Sequence, residues 1–272
     1  MKKEIDNMAQ LEFESFRSNW QNSLLRTLPS HKNQVENFVR DDVFGLRHSY
    51  DGWSRAYGLA EKIESSNQPA TIDRSIIEHI AIFHDIGKFF EELHSLENIS
   101  IAEGIFREYA GKVQMKITQK DAITDGIKYS DFYNIRLDPS SRSPSTLEGE
   151  TFRAADKMLD NMVMKVDRYW YNYGVPRSAT FFDPSLNHDD RTSFSFDNFA
   201  GDQLNVILSI IGLRPEDFSH PVLQEEYRQW SEDPKKRTVE RIVSLAEEIG
   251  ETPENINRVK EVVNWYRKAF AC

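Results

Sequence analysis

Apolar residues recur along this chain at helical spacing. Between 53 and 63, Trp53, Ala56, Tyr57, Ala60 and Ile63 fall at steps of three and four, which puts them on one side of a helix. The stretch 71–90 does the same with Ile72, Ile76, Ile77, Ile80 and Ala81, and 99–110 with Ala102, Ile105, Phe106 and Tyr109. A longer stripe crosses 151–170 through Phe152, Ala155, Leu159, Met162, Val163, Val166 and Trp170. Further on, Leu204, Ile207, Leu208 and Ile211 form one stripe and Ile242, Leu245 and Ile249 another. Thr252-Pro253 reads as a helix cap with proline at the first helical position, opening a helix that ends about Phe270. No useful length of chain alternates apolar and polar residues, so the pattern predicts an all-α fold.

Three stretches interrupt the stripes. Ser65 to Ala70 is short and polar, and Leu137 to Glu148 is rich in proline and serine; both read as loops. Gly174 to Asn198 mixes Phe181, Phe182, Phe194 and Phe196 with Asp183, Asp189 and Asp190. A segment of that length either forms a lid or packs C-terminal helices on a core; packing is the plainer expectation. The organisation expected is an N-terminal helical segment at 1–44, a helical core at 45–172, the irregular aromatic-rich loop at 173–197, and a C-terminal helical extension at 198–272 packed on the core.

Two stripes carry polar residues where apolar ones belong. At ~100° per residue, His84 falls inside the stripe of Ile76, Ile77 and Ile80, and Asp85 lies at its edge. Asp156 sits beside the stripe of the later helix, four residues after Phe152. A carboxylate facing a core needs a partner, because leaving it unpaired costs several kcal/mol. A metal ion would answer for both positions. The bland alternative is a satisfied core histidine and an aspartate paired with Arg153 or Arg55. The local run Ile82-Phe83-His84-Asp85-Ile86-Gly87-Lys88 favours the metal, since Gly87 marks a helix stop and opens a site at the helix end. Adjacent residues do not share a helix face, so other helices must add ligands.

Composition narrows the function classes. Of 272 residues, 39% are apolar and 29% charged, which suits a sizeable core and argues against a membrane protein; no apolar run approaches the roughly 18 residues of a spanning helix. Met1 to Gln10 is polar, unlike a signal peptide, and the one cysteine, Cys272, cannot form an internal disulfide. A cytoplasmic location is expected. The net charge of −10 argues against nucleic acid as a partner. The densest basic run, Lys235-Lys236-Arg237, reads as solvated charge at a helix start. There is no phosphate-binding Gly-x-x-x-x-Gly-Lys loop and no Gly-x-Ser-x-Gly elbow. Asp121 to Gly126 fails as a calcium loop because Ile123 and Phe132 stand where oxygen ligands are needed. His188-Asp189-Asp190 lies in the irregular stretch and reads as solvated or capping.

Over about 45–170 the chain resembles the HD superfamily of metal-dependent phosphohydrolases. Phe83-His84-Asp85-Ile86-Gly87-Lys88 resembles the paired His-Asp motif. Arg153-Ala154-Ala155-Asp156-Lys157-Met158-Leu159-Asp160 resembles the final motif, with Asp156 as ligand. Ile99-Ser100-Ile101-Ala102-Glu103 resembles the segment between. The resemblance implies an HD-domain helical bundle with a C-terminal helical extension, and metal ligands His48, His84, Asp85 and Asp156. His48, in Leu46-Arg47-His48-Ser49-Tyr50-Asp51, stands at the first of two histidine positions four apart, and Gly52 at the second, which usually holds the ligand. Either His48 reaches the metal, or water or Asp51 takes its place.

The family pattern further implies one divalent ion (Mn, Ni, Co, Fe, Zn or Mg) rather than two, since 126–131 lacks the histidine of two-metal members. Histidine nitrogen with carboxylate oxygen suits the transition metals better than calcium. Implied catalytic residues are Asp85 and Lys88. Lys88, Arg47, Arg55 and His94 are the implied substrate contacts, and a phosphate ester, such as a nucleotide or small phosphorylated metabolite, is the implied partner. Ile86-Gly87-Lys88 does not match alarmone hydrolases, and the Gly-Tyr-Pro signature of cyclic-dinucleotide members is absent. Tyr129, Tyr133, Tyr169 and Trp170 either stack a base or fill the core. The competing expectations are a degenerate HD protein that binds without turnover and a di-iron oxygenase. The amphipathic C-terminal part leaves a homodimer open.

Overall fold

Among the described residues, the stripes at 53–63, 76–81 and 102–109 lie on helices. The computed structural model describes residues 2–41, 44–90, 98–130, 143–158 and 214–248, together with 253, 257 and 260. Among these residues there are eight α-helices and no strand, so the fold is all-α. The loop at 173–197, the stripe from Leu204 to Ile211, His94, His188, Tyr133, Tyr169, Trp170 and most of the helix expected up to Phe270 lie outside the described residues.

Two compact units divide the chain, the first ending at Asp156. It contains α1 (Lys2–Thr27), α2 (Lys32–Arg40), α3 (Leu46–Glu64), α4 (Arg74–Phe83), α5 (Asn98–Ala110), α6 (Ile117–Ser130) and α7 (Leu147–Lys157) as far as Asp156. Helix α4 is its axis, packing on α3, α5 and α6. Asp73 caps α4 by accepting the Ser75 N–H at 3.0 Å, and its other oxygen accepts from Gln119 of α6 at 2.8 Å. Ile76, Ile77, Ile80 and Ala81 are buried as their spacing predicts. Full burial of an isoleucine contributes about 1.5–3 kcal/mol, so this stripe holds the unit together.

Helix α1 belongs to the same unit. Phe13, Phe16, Trp20 and Leu24, at steps of three and four, are buried. Phe13 and Phe16 meet Tyr50 of α3 edge-on, Trp20 donates Nε1–H to Glu78 of α4 at 2.8 Å, and Ser23 shares a hydrogen bond of 3.1 Å with Tyr109 of α5. The stripe ties three helices of the core together.

The helix stop differs from expectation. Helix α4 ends at Phe83, and the chain passes into a 3-10 turn, Ile86–Phe89, that contains Gly87. Gly87 is needed for closeness. A Cβ there would strike the backbone carbonyl of Asn98, where α5 begins. The calcium-like run 121–126 is helical, within α6.

In the second unit, a 3-10 turn at Pro215–Asp217 leads to α8 (Pro221–Glu248). Phe218 and Tyr227 are buried against each other with ring centroids 5.2 Å apart. Lys235, Lys236 and Arg237 fall in the middle of α8, not at its start as expected, because the helix begins at Pro221.

His79 is half-buried between Trp20 and Tyr109, and its Nδ1–H donates to the Ser75 carbonyl at 2.7 Å. Burial pushes its pKa below the ordinary 6.5, outweighing the bond to Ser75 and the nearby Glu78 and Asp73, which raise it. The unfolded chain therefore takes up this proton first as pH falls. The stability carried by neutral His79 is complete above about 6.5 and is lost as pH drops toward the folded value. Replacing His79 with Phe should flatten urea-midpoint stability over that window. Gly87→Ala should cost about 1–3 kcal/mol through overpacking, whereas Gly58→Ala, in open space on α3, should be neutral or stabilising by up to about 1 kcal/mol. Denaturant titration of the two alanine variants separates closeness from general helix effects.

Candidate metal centre

Three helices bring the expected polar residues together. His48 lies in the first turn of α3. His84 follows the last residue of α4, with its backbone N–H still bonded to the Ile80 carbonyl at 2.9 Å. Asp156 is in the last turn of α7. On a continuous helix His84 and Asp85 would point about 100° apart. The end of α4 at Phe83 and the turn at Asp85 let both face the same place.

His48 Nε2 is 3.2 Å from Asp156 Oδ1 and 3.4 Å from His84 Nε2, and His84 Nε2 is 3.9 Å from Asp156 Oδ1. All three residues are buried, and their donor atoms lie within 4.8 Å of one another, a group that could hold a metal ion. Asp85, also buried, places Oδ2 3.6 Å from each histidine Nε2. His84 Nδ1–H donates to the Ala81 carbonyl at 2.9 Å. In the neutral ring this leaves the Nε2 lone pair facing His48. A backbone carbonyl behind an imidazole is what orients a metal-ligating histidine. Two ring nitrogens at 3.4 Å, sharing one carboxylate oxygen, need a proton or a cation between them. Two nitrogens and one oxygen suit a first-row divalent ion and leave coordination positions for other ligands. The residues present therefore fit such an ion.

Lys88 stands beside this group. Its Nζ is 2.7 Å from Asp85 Oδ1 and lies 4.3 Å above the centre of the Phe44 ring. Burial pushes the Asp85 carboxyl up. The Lys88 ammonium, followed by His84 and His48, outweighs both burial and the nearby Asp156, and holds Asp85 below the ordinary carboxylate range. Lys88, expected as a phosphate contact, is thus first the counter-ion of Asp85.

Of the other expected contacts, His94 lies outside the described residues. Arg47 donates to Asp51 at 3.2 Å and lies 4.6 Å above Phe13, so it serves the surface between α1 and α3. Asp51, the alternative to His48, is occupied by that arginine, and His48 is the residue that joins the cluster. Arg55 is half-exposed two turns beyond His48. Arg153 is buried and donates to Ser143 at 3.3 Å.

Two contacts escaped the sequence reading. Phe44 carries the ammonium of Lys88. Phe152 lies edge-on to His84, with ring centroids 4.9 Å apart at 65°. Phe152 precedes Asp156 by one helical turn, and this spacing was the available signal.

The chain matches no family model, no curated protein and no solved structure. Among the described residues no helix is long and apolar enough to cross a membrane.

The Asp85–Lys88 pair yields a direct test. Lys88→Met strands a buried carboxylate and should destabilise by about 3–5 kcal/mol. The double variant Asp85→Asn/Lys88→Met should lose less than the lysine variant alone. Urea unfolding of the full double-mutant cycle reads the coupling, and additive losses would mean the pair is not the main partner of either group.

Proposed function

We propose that this chain is an HD-type metal-dependent phosphohydrolase acting on a phosphate ester, with a nucleotide or small phosphorylated metabolite as substrate class. The observation that carries the reading is the meeting of His48, His84 and Asp156, from three helices, in one buried group. The motif around His84 and Asp85 supports it, as does the ammonium of Lys88 beside the cluster.

His48, His84 and Asp156 would hold the ion, and Asp85 Oδ2, facing both imidazoles, would complete or orient its ligand set. A divalent ion bound there supplies Lewis acidity toward a phosphoryl oxygen and acidifies a water. Lys88 offers positive charge to an arriving phosphate while keeping Asp85 ionised. The apolar walls of Phe152 and Phe44 exclude water from the charged groups, which strengthens every electrostatic contact among them.

A second reading, binding without turnover on the same scaffold, draws on Gly52. That position faces the ring of Phe152 and adds no ligand.

Metal content and hydrolysis decide between the two. Elemental analysis of the purified protein should give about one transition metal per chain, and His48→Ala and Asp156→Ala should each lose it, in line with a shared site. Metal-loaded protein should then release phosphate or nucleoside from a panel of nucleotides and phosphomonoesters, and Asp85→Ala should not. Bound metal with no product under any divalent ion would support the binding protein. No metal after reconstitution with Mn²⁺, Ni²⁺ or Fe²⁺ would remove the hydrolase reading.

A further inference from the structure

Helices α3 and α7 face each other through two rungs. On α3, His48 and Gly52 are four residues apart; on α7, Phe152 and Asp156 are four apart, so each pair shares a face. His48 meets Asp156 at 3.2 Å. One turn away, Gly52 meets Phe152: a Cβ on Gly52 would lie 3.2 Å from Cε2 and 3.6 Å from Cζ of the ring. The pairing of first with last and second with first makes the two helices antiparallel here. The first rung is polar and supplies metal-site atoms. The second is a ring seated on a bare backbone.

The same ring also lies edge-on to His84, with centroids 4.9 Å apart at 65°. His84 has a fixed point at Nδ1, bonded to the Ala81 carbonyl. A ring held at one nitrogen can still tilt about that bond, and such a tilt moves Nε2, the atom that faces His48 and Asp156. The Phe152 ring lies against the His84 imidazole and opposes this tilt. It can stand there because a side chain at position 52 would crowd its edge and Gly52 has none.

We infer that Phe152, seated on Gly52, is a positioning residue that sets the direction of His84 Nε2 in the metal centre, and that position 52 is glycine to make this seat. The inference rests on the metal-site reading given above. It also explains why α3 adds one ligand and not two: the space one turn from His48 is filled by the ring. The protein then offers few ligands, and the ion keeps positions for substrate.

The test uses the full chain and cobalt(II), whose d–d bands report coordination. Gly52→Ala adds a single methyl group and replaces glycine by a better helix former, so the helix is retained and circular dichroism should not change. The methyl displaces the ring by a few tenths of an ångström. Cobalt affinity, measured by competition with a chromophoric chelator, should fall about tenfold or more, the scale seen when groups supporting a metal ligand are changed, and the d–d bands should shift. Phe152→Leu should weaken binding in the same way. In Gly52→Ala/Phe152→Leu the smaller side chain makes room for the methyl, and affinity should recover toward that of Phe152→Leu alone instead of falling by the product of both losses. Wild-type affinity and bands in both single variants, or losses that multiply, would overturn the inference.

If the wild-type protein takes up no cobalt, the metal reading fails on its own. The positioning role is then read in the metal-free protein from the His84 ring-nitrogen NMR signals. They should move in Gly52→Ala and return toward the Phe152→Leu values in the double variant, and unchanged signals would overturn the inference.

Discussion

Two carboxylates and two imidazoles are buried at one point in a largely apolar helical core, and the surrounding structure answers to their charge. Ionised carboxylates leave water at a cost of several kcal/mol each and stay inside only with partners. Lys88 supplies one positive charge directly, at 2.7 Å from Asp85. A divalent cation held between the imidazoles and Asp156 would supply the rest. Helix α4 stops at Phe83 so that two consecutive residues reach the same place, and Gly87 lets α5 pack closely against the turn that carries Lys88.

Much of this could be read in the sequence because helices write their buried face with a period. The stripe of Ile76, Ile77, Ile80 and Ala81 gave both the helix and the inward direction of His84, since one polar residue among evenly spaced apolar ones must point where they point. Asp156 was legible for the same reason. The all-α class followed from the absence of alternation, and the described residues contain no strand.

What was not legible depends on contacts between helices distant in sequence. Periodicity places Gly52 on the face of His48 but does not say that a phenylalanine from α7 fills the gap. It places Lys88 one turn past the helix end but does not say that its ammonium sits between Asp85 and the face of the Phe44 ring. The choice between His48 and Asp51 was open in the sequence because both lie in the same turn. In the structure Arg47, four residues before Asp51, pairs with the aspartate, and His48 is the one of the two that joins His84 and Asp156. The stripe of α1 was present in Phe13, Phe16, Trp20 and Leu24, and only its destination, across three helices of the core, required the structure.

The order of the three cluster residues along the chain has a consequence for assembly. His48 and His84 are separated by 36 positions, and Asp156 comes much later. As the chain is synthesised, α3 and α4 can pair early and bring the imidazoles together, while the carboxylate that joins them arrives only with α7. Closing that longer loop adds little entropy beyond closing the shorter one, because the cost grows only with the logarithm of length. The delay is therefore one of timing more than of free energy. The half-built pocket presents two nitrogens and an aspartate first, and the last helix to arrive decides when the centre is complete.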